Sequence, residues 1–183
     1  MSQKNSALYI LRLALTLLAI TAAVAAALAG VNAITAPRIA QTNALKTNAA
    51  IEAVLPGGGQ PLDTFPDDTG LVSHVYVSEK GYAVEVTPTG FDNTITMMVG
   101  VDKAGKVLGI DIISHTETAG LGAVAAAGTA AGEAFRGQFA GCSGEVNVAK
   151  DGGSIDAITG ATITSRAVCS GVNAALACVA GLK

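Results

Sequence analysis

Residues 13–31 form a run of nineteen uncharged residues, interrupted in polarity only by Thr16, Thr21 and Gly30. No other feature restricts what this chain can fold into so strongly. At the helical rise the run extends about 28 Å, close to the roughly 30 Å hydrocarbon core of a bilayer. A helix is the form it must take in lipid, because only a helix bonds all its backbone groups within one segment. Residues 8–11 add another apolar turn, and Arg12 can snorkel back to the headgroups. Lys4 and Arg12 precede the run and the next base is Arg38. This bias predicts a single span with a cytoplasmic N-terminus and the body on the external side of the cell membrane. A cleaved signal peptide is the rival reading, since Ala27-Leu28-Ala29 fits a small-x-small site. Against it, the run is longer than a usual signal core and continues past that site. Either reading exports the body. No second segment reads as long and apolar enough to span, so the chain divides into residues 1–35, a cytoplasmic stub and anchor, and residues 36–183.

Charge divides at the same place. Residues 1–31 hold Lys4 and Arg12 alone, whereas residues 32–183 hold nine basic and fourteen acidic side chains. A net-acidic body argues against nucleic acid as a partner, because phosphate neutralisation needs concentrated Lys and Arg. Apolar residues recur throughout it, which argues against disorder.

Along the body, residues 37–55 predict a helix with Pro37 in its first turn and Ile39, Leu45, Ile51 and Leu55 as anchors. It stops at Pro56-Gly57-Gly58-Gly59, and a polar loop follows to about Gly70. Residues 71–78, 82–87, 94–101 and 107–114 read as strands, rich in β-branched or aromatic types and separated by turn residues. Four in succession predict a meander. Residues 120–139 are alanine-rich but carry Gly122, Gly128, Gly132 and Gly137, which weigh against one unbroken helix. A short strand is expected at 146–148. Residues 162–179 carry Ile163, Val168, Val172, Leu176 and Val179 at helical steps. The predicted fold is α+β: a small, mainly antiparallel sheet with packed helices, preceded by one transmembrane helix.

The common nucleotide, zinc-protease and hydrolase motifs are absent. His74 and His115 are far apart and have no ligand cluster, so no metal site is expected. Cys142, Cys169 and Cys178 are an odd set. Cys169 and Cys178 fall on opposite faces of one helix and should not pair with each other, whereas Cys142 could bridge to either, or all three could be buried thiols.

One stretch stands out: Asp156-Ala157-Ile158-Thr159-Gly160-Ala161-Thr162, running into Ile163-Thr164-Ser165. Two readings of it are open. Thr159 could simply cap the helix, with Thr162 at the third helical position. Alternatively, the free N–H groups and dipole of the helix start make an anion site.

The stretch resembles the D-x-x-[ST]-G-A-T signature of covalently flavinylated FMN-binding domains. In that family a magnesium-dependent flavin transferase moves FMN from FAD onto the final threonine as a phosphoester. The resemblance makes Thr162 the acceptor of one covalent FMN per chain, Thr159, Gly160 and Ala161 the recognition turn, and Asp156 the leading acidic position. A second segment, His115-Thr116-Glu117-Thr118-Ala119-Gly120-Leu121-Gly122, is similar to H-x-E-T-P-G-L-G of the G subunits of Rnf electron-transport complexes. Those are related to the C subunit of the sodium-pumping NADH:quinone reductase. Ala119 replaces the usual proline. Phe135-Arg136-Gly137-Gln138-Phe139 and the anchor extend the likeness over nearly the whole chain.

The resemblance implies a membrane-anchored electron carrier within an ion-translocating ferredoxin:NAD oxidoreductase complex, with the other subunits as partners and the transferase needed for maturation. It implies no catalytic residue and no complete enzyme in this chain alone. Ala22, Ala26 and Gly30 would permit close helix contact with partner subunits. Glu117, Thr118, Gly120 and Leu121 form a second cofactor-side loop, with Thr118 alternatively a helix cap and Leu121 alternatively core. Tyr76, Tyr82 and Phe91 are possible ring partners or sheet packing, and Arg166 could reach the phosphate or stay solvated. The competing functions are an equivalent carrier in a sodium-pumping quinone reductase, or a flavin-free exported binding or structural module.

Overall fold

The computed structural model describes residues 3–182, with side chains described from Leu8 onward. The chain divides into two compact units between Leu45 and Lys46. Helix α1, Gln3–Val54, runs through both. Its stretch Leu8–Val54 is long and apolar enough to cross a membrane, and Leu8 to Leu45 lie exposed. Pro37 does not begin a new helix but lies inside α1. A proline there removes one N–H bond and crowds the preceding turn, yet alanine and other helix formers on both sides carry the helix through. Of the four anchors expected after Pro37, Ile51 and Leu55 are buried, whereas Ile39 and Leu45 are exposed. The last turns of α1, from Lys46 onward, belong to the body.

The body is built on a five-stranded antiparallel meander in sequential order: β1 Gln60–Leu62, β2 Val72–Val77, β3 Gly81–Val86, β4 Thr96–Asp102 and β5 Val107–Ser114. The first strand falls in the segment expected to be a polar loop. It exists because the open edge of β2 offers unpaired backbone groups, and Gln60, Pro61 and Leu62 line up with Val77, Tyr76 and Val75.

Alternation along the strands gives the sheet two faces. Val75, Val84, Val99 and Ile110 stand in register on one face. There they join a core with Phe135 and Phe139 of α2, Ala130–Gly137, and its continuation, and with Val168, Val172 and Val179 of α3, Thr162–Gly181. The opposite face carries Tyr76, Ala83 and Gly100 in register and receives Ala50, Ile51, Val54 and Leu55. Gly100 is what lets the end of α1 lie so close. A Cβ there would run into the Val54 carbonyl oxygen and sit 2.9 Å from the Val54 Cβ.

Residues 120–139 are broken, as their glycines suggest, into a 3-10 turn at Gly122–Ala126 and α2. Arg136 ties the two together by donating to the carbonyls of Ala125 (2.7 Å) and Ala127 (3.0 Å). The strand expected at 146–148 reduces to a single parallel bridge between Val148 and Ile155. By length and composition α3 is a second segment able to span a membrane, contrary to the sequence reading. Most of it is nevertheless buried against the sheet, where a core helix can be apolar all round.

Candidate functional site

Three loops converge on the start of α3: the β3–β4 connection, the segment after β5, and the chain between residues 149 and 161. They enclose a cavity of about 300 Å³ lined by Phe91, Glu117, Thr118, Leu121, Gly122, Lys150, Gly160, Ala161, Thr162, Ile163 and Thr164.

Glu117 holds two of the walls together. Its side chain is 7% exposed. Oε1 accepts the backbone N–H of Phe91 at 2.9 Å and of Asp92 at 3.2 Å, and Oε2 accepts the hydroxyl of Thr164 in the first turn of α3. A buried carboxylate is tolerated only when its lone pairs are met in this way. Gly122 allows the close approach, since a Cβ there would collide with Glu117 Oε2 and Thr164 Oγ1.

The turn into α3 is stitched by Ser165, whose Oγ accepts the Ile158 N–H and donates to the Ala161 carbonyl, both at 3.0 Å. Gly160 has φ +76°, a left-handed conformation that side-chain-bearing residues rarely adopt. Ala161 N donates to the Ile158 carbonyl at 2.9 Å. The N-cap position is Ala161, which offers no side-chain cap. Thr159 therefore does not cap α3, and Thr162 is the first helical residue rather than the third. The opening N–H groups of a helix have no intrahelical acceptor, so this end keeps its capacity to receive an anion.

Thr162 is half-buried, and its Oγ1 lies 3.4 Å from Lys150 Nζ. Lys150 sits in a 3-10 turn, Ala149–Asp151, whose next residue, Asp151, is gripped by Arg166 of α3 through two 2.7 Å bonds. That hydrogen-bonded pairing with the guanidinium holds the Asp151 carboxyl below its ordinary pKa. Arg166 is thus occupied with Asp151 and does not line the cavity.

The structure brings together Thr162, Gly160, Ala161, Glu117, Thr118 and Leu121 from the sequence reading. Asp156, Thr159 and Gly120 border a separate groove with Val124, Phe135 and Gln138. There the backbone of Asp156 is bonded both ways to the Gln138 amide, at 2.7 and 3.2 Å. Thr118 contributes its carbonyl, which accepts from Leu121 N and Ala123 N. Of the three possible ring partners, Phe91 lines the cavity and is 67% exposed, whereas Tyr76 and Tyr82 pack against the two faces of the sheet. Lys150 joins the site without a signal in the sequence motifs, whereas Ile163 and Thr164 directly follow the Asp156–Thr162 stretch. Ile163 fits the core stripe of the last helix, but it is exposed at the rim. Lys150 has no local signal beyond being a base ahead of the Asp151-Gly152-Gly153 turn.

Residues 90–177 match the FMN-binding domain family, so every cavity-lining residue lies within the match. The G subunit of the Na(+)-translocating ferredoxin:NAD(+) oxidoreductase complex of Acetobacterium woodii is 32% identical over 90% of this chain and 88% of its own length. The chain belongs to this G-subunit family. The G subunit of the ion-translocating oxidoreductase complex of Yersinia pestis is 36% identical over 80% of the chain and 79% of that protein. The proton-translocating counterpart of Clostridium ljungdahlii is 40% identical over 55% of the chain and 57% of that protein. Members of the family are thus named for different coupling ions.

The chemistry of the cavity suits a flavin mononucleotide. Its volume lies at the small end of ligand pockets, which run from about 300 to 1,000 Å³. One wall is polar, with a hydroxyl, an ammonium and a helix start. The rim is apolar: among the exposed large hydrophobic side chains of the body, Phe91, Leu121 and Ile163 border this cavity and Leu108 does not.

Proposed function

We propose that this chain is a membrane-anchored electron-carrying subunit of an ion-translocating ferredoxin:NAD oxidoreductase complex, bearing one FMN joined through its phosphate to Thr162 Oγ1. The observation that carries the proposal is the position of Thr162. Its hydroxyl stands in the first turn of α3, at the wall of a cavity contained wholly in the FMN-binding match, and is accessible from outside.

Flavin, when attached, supplies one- and two-electron chemistry. The residues of this chain supply its position. The first N–H groups of α3 and the helix dipole favour a phosphate at Thr162. Phe91, Leu121 and Ile163 offer apolar surface to a ring. Glu117 keeps the Phe91 loop and the first turn of α3 at a fixed separation. A threonine hydroxyl is a weak nucleophile at neutral pH, so attachment requires an activating transferase and its metal. A covalent tether also suits a domain outside the cytosol, where a lost cofactor could not be replaced.

Residues 1–35 form the cytoplasmic stub and single-span anchor, and residues 36–183 the external part. Lys4 and Arg12 on the near side of the run, with the next base only at Arg38, support that orientation. The partners are the other subunits of the complex, to which the relatives are named as belonging.

The test is isolation of the full chain from its native membranes, with intact-mass analysis of every co-purifying protein. A mass increase of FMN less one water, lost in Thr162→Ala, is the expected result. Co-purification with ferredoxin- and NAD-reactive subunits is expected as well; a quinone-reducing set would place the carrier in the other assembly. An unmodified mass in a host that flavinylates other proteins overturns the reading.

A further inference from the structure

Lys150 makes no ion pair among the described residues, although the neighbouring Asp151 carboxylate feels its charge. Among the described residues the one ion pair is Arg166–Asp151. The buried carboxylate at the cavity, Glu117, has its oxygens occupied by Phe91 N, Asp92 N and Thr164 Oγ1. The ammonium of Lys150 instead points to Thr162 Oγ1, at 3.4 Å.

Its backbone is held there from two sides. Ala149 N donates to the Ile155 carbonyl at 2.8 Å, and Gly153 N to the Val148 carbonyl at 3.1 Å, closing the loop on itself. Asp151, the next residue, is clamped to α3 by Arg166. The turn carrying Lys150 is therefore attached to the same helix that carries Thr162. Holding the turn in place lowers the ordering cost of a long, flexible side chain.

Resting on the proposed flavinylation of Thr162, we infer that Lys150 is the phosphate-binding partner of that threonine, holding the flavin phosphate against Oγ1 during attachment and neutralising it afterwards. In the transfer Oγ1 attacks the phosphorus on the FMN side of a flavin adenine dinucleotide. The new O–P bond forms as the pyrophosphate P–O bond breaks, AMP leaves with the bonding pair, and the hydroxyl proton goes to a base of the transferase. An ammonium has three donors and no acceptor, so Lys150 takes no proton. It stabilises negative charge on the attacking oxygen and on the non-bridging phosphate oxygens, charge that the helix start receives from the other side.

The experiment uses the full chain in detergent with purified flavin transferase, FAD and Mg²⁺, and follows the adduct by intact mass against time. Three proteins are compared: the natural chain, Lys150→Met and Lys150→Arg. Lys150→Met should lower kcat for flavinylation about ten- to hundredfold while leaving KM for the acceptor chain within about twofold. Lys150→Arg should recover most of the rate, since a guanidinium offers the same charge and more donors. A thermal melt of Lys150→Met matching the natural chain accompanies the kinetics. If the natural chain is modified and Lys150→Met keeps pace, or if Lys150→Arg is as slow as Lys150→Met, the assignment of Lys150 is overturned and Thr162 stands. If Lys150→Met melts lower and its loss appears in KM, Lys150 is only a packing residue and the assignment is likewise overturned. If the natural chain gains no FMN, it is the reading of Thr162 that fails.

Discussion

Replacing Glu117 by alanine removes the acceptor of three hydrogen bonds at once. Two of its donors, the N–H groups of Phe91 and Asp92, belong to exposed loop residues, and water can reach them once the carboxylate is gone. Each then costs about 0.5–1 kcal/mol. The third donor, the Thr164 hydroxyl, belongs to a residue that is 1% exposed and stays dry, at about 1–3 kcal/mol. The total is about 3 kcal/mol, which in a chain of this size lowers Tm by roughly 10 °C. Glu117→Gln behaves differently. Its amide oxygen can keep both backbone donors, and its NH2 can donate to Thr164 Oγ1 once that hydroxyl turns away. The cost should be about 1 kcal/mol, or some 3 °C. Calorimetric melts of the full chain in detergent separate the two variants. If Glu117→Ala melts within about 2–3 °C of the natural chain, Glu117 does not bind the loop to α3. If the glutamine variant falls as far as the alanine one, its hydrogen-bonding capacity is not what holds the cavity walls.

Two further outcomes follow from burial. Burial raises the Glu85 carboxyl above its ordinary pKa, partly countered by its cross-strand neighbour His74. Stability from the protonated form is complete below the ordinary carboxylate pKa and is lost as pH rises through the raised folded value. Glu85→Gln should therefore melt above the natural chain at about pH 7.5, with the gap closing near pH 4; a gap that is absent or reversed contradicts the burial argument. Burial also pushes the Cys169 and Cys178 thiols up to about 11, while all three cysteines are free. At about pH 8 only about one in a thousand of these two is thiolate, so iodoacetamide should modify the half-buried Cys142 first and the others only after unfolding. Early labelling of Cys169 or Cys178 on the native chain, read by peptide mass, counts against this.

Much of the architecture is legible in the sequence because it depends on short windows. Strand β5 spans the residues that its β-branched types and the turn before it predict, and α3 begins at Thr162, where the terminal helix is expected. Misreadings arise where a long-range partner outweighs local pattern. Gln60, Pro61 and Leu62 have poor strand character but complete the edge of β2. Residues 146–148 look like a strand yet find only one bridging partner, Ile155. Pro37 reads as a helix start, but helix formers on both sides carry α1 past it. Ile163 fits the helical stripe, yet the first turn of α3 overhangs the cavity instead of the sheet.

Local chemistry in the chain dictates the uncharged helical run at residues 13–31, an antiparallel meander, a second apolar helix with a hydroxyl at its start, and the acidic balance of the body. Each of these follows from periodicity, turn chemistry or composition within a few turns of chain. Folding adds what no window contains: Gly160, Ala161 and Thr162 face one cavity while Asp156 and Thr159 face another groove. Lys150, and not Arg166, comes to approach the Thr162 hydroxyl. Glu117 meets Phe91 across twenty-six residues and Thr164 across forty-seven. Encounters at such separations are set by sheet register and by how a helix seats on the sheet, and no local period in the chain encodes them.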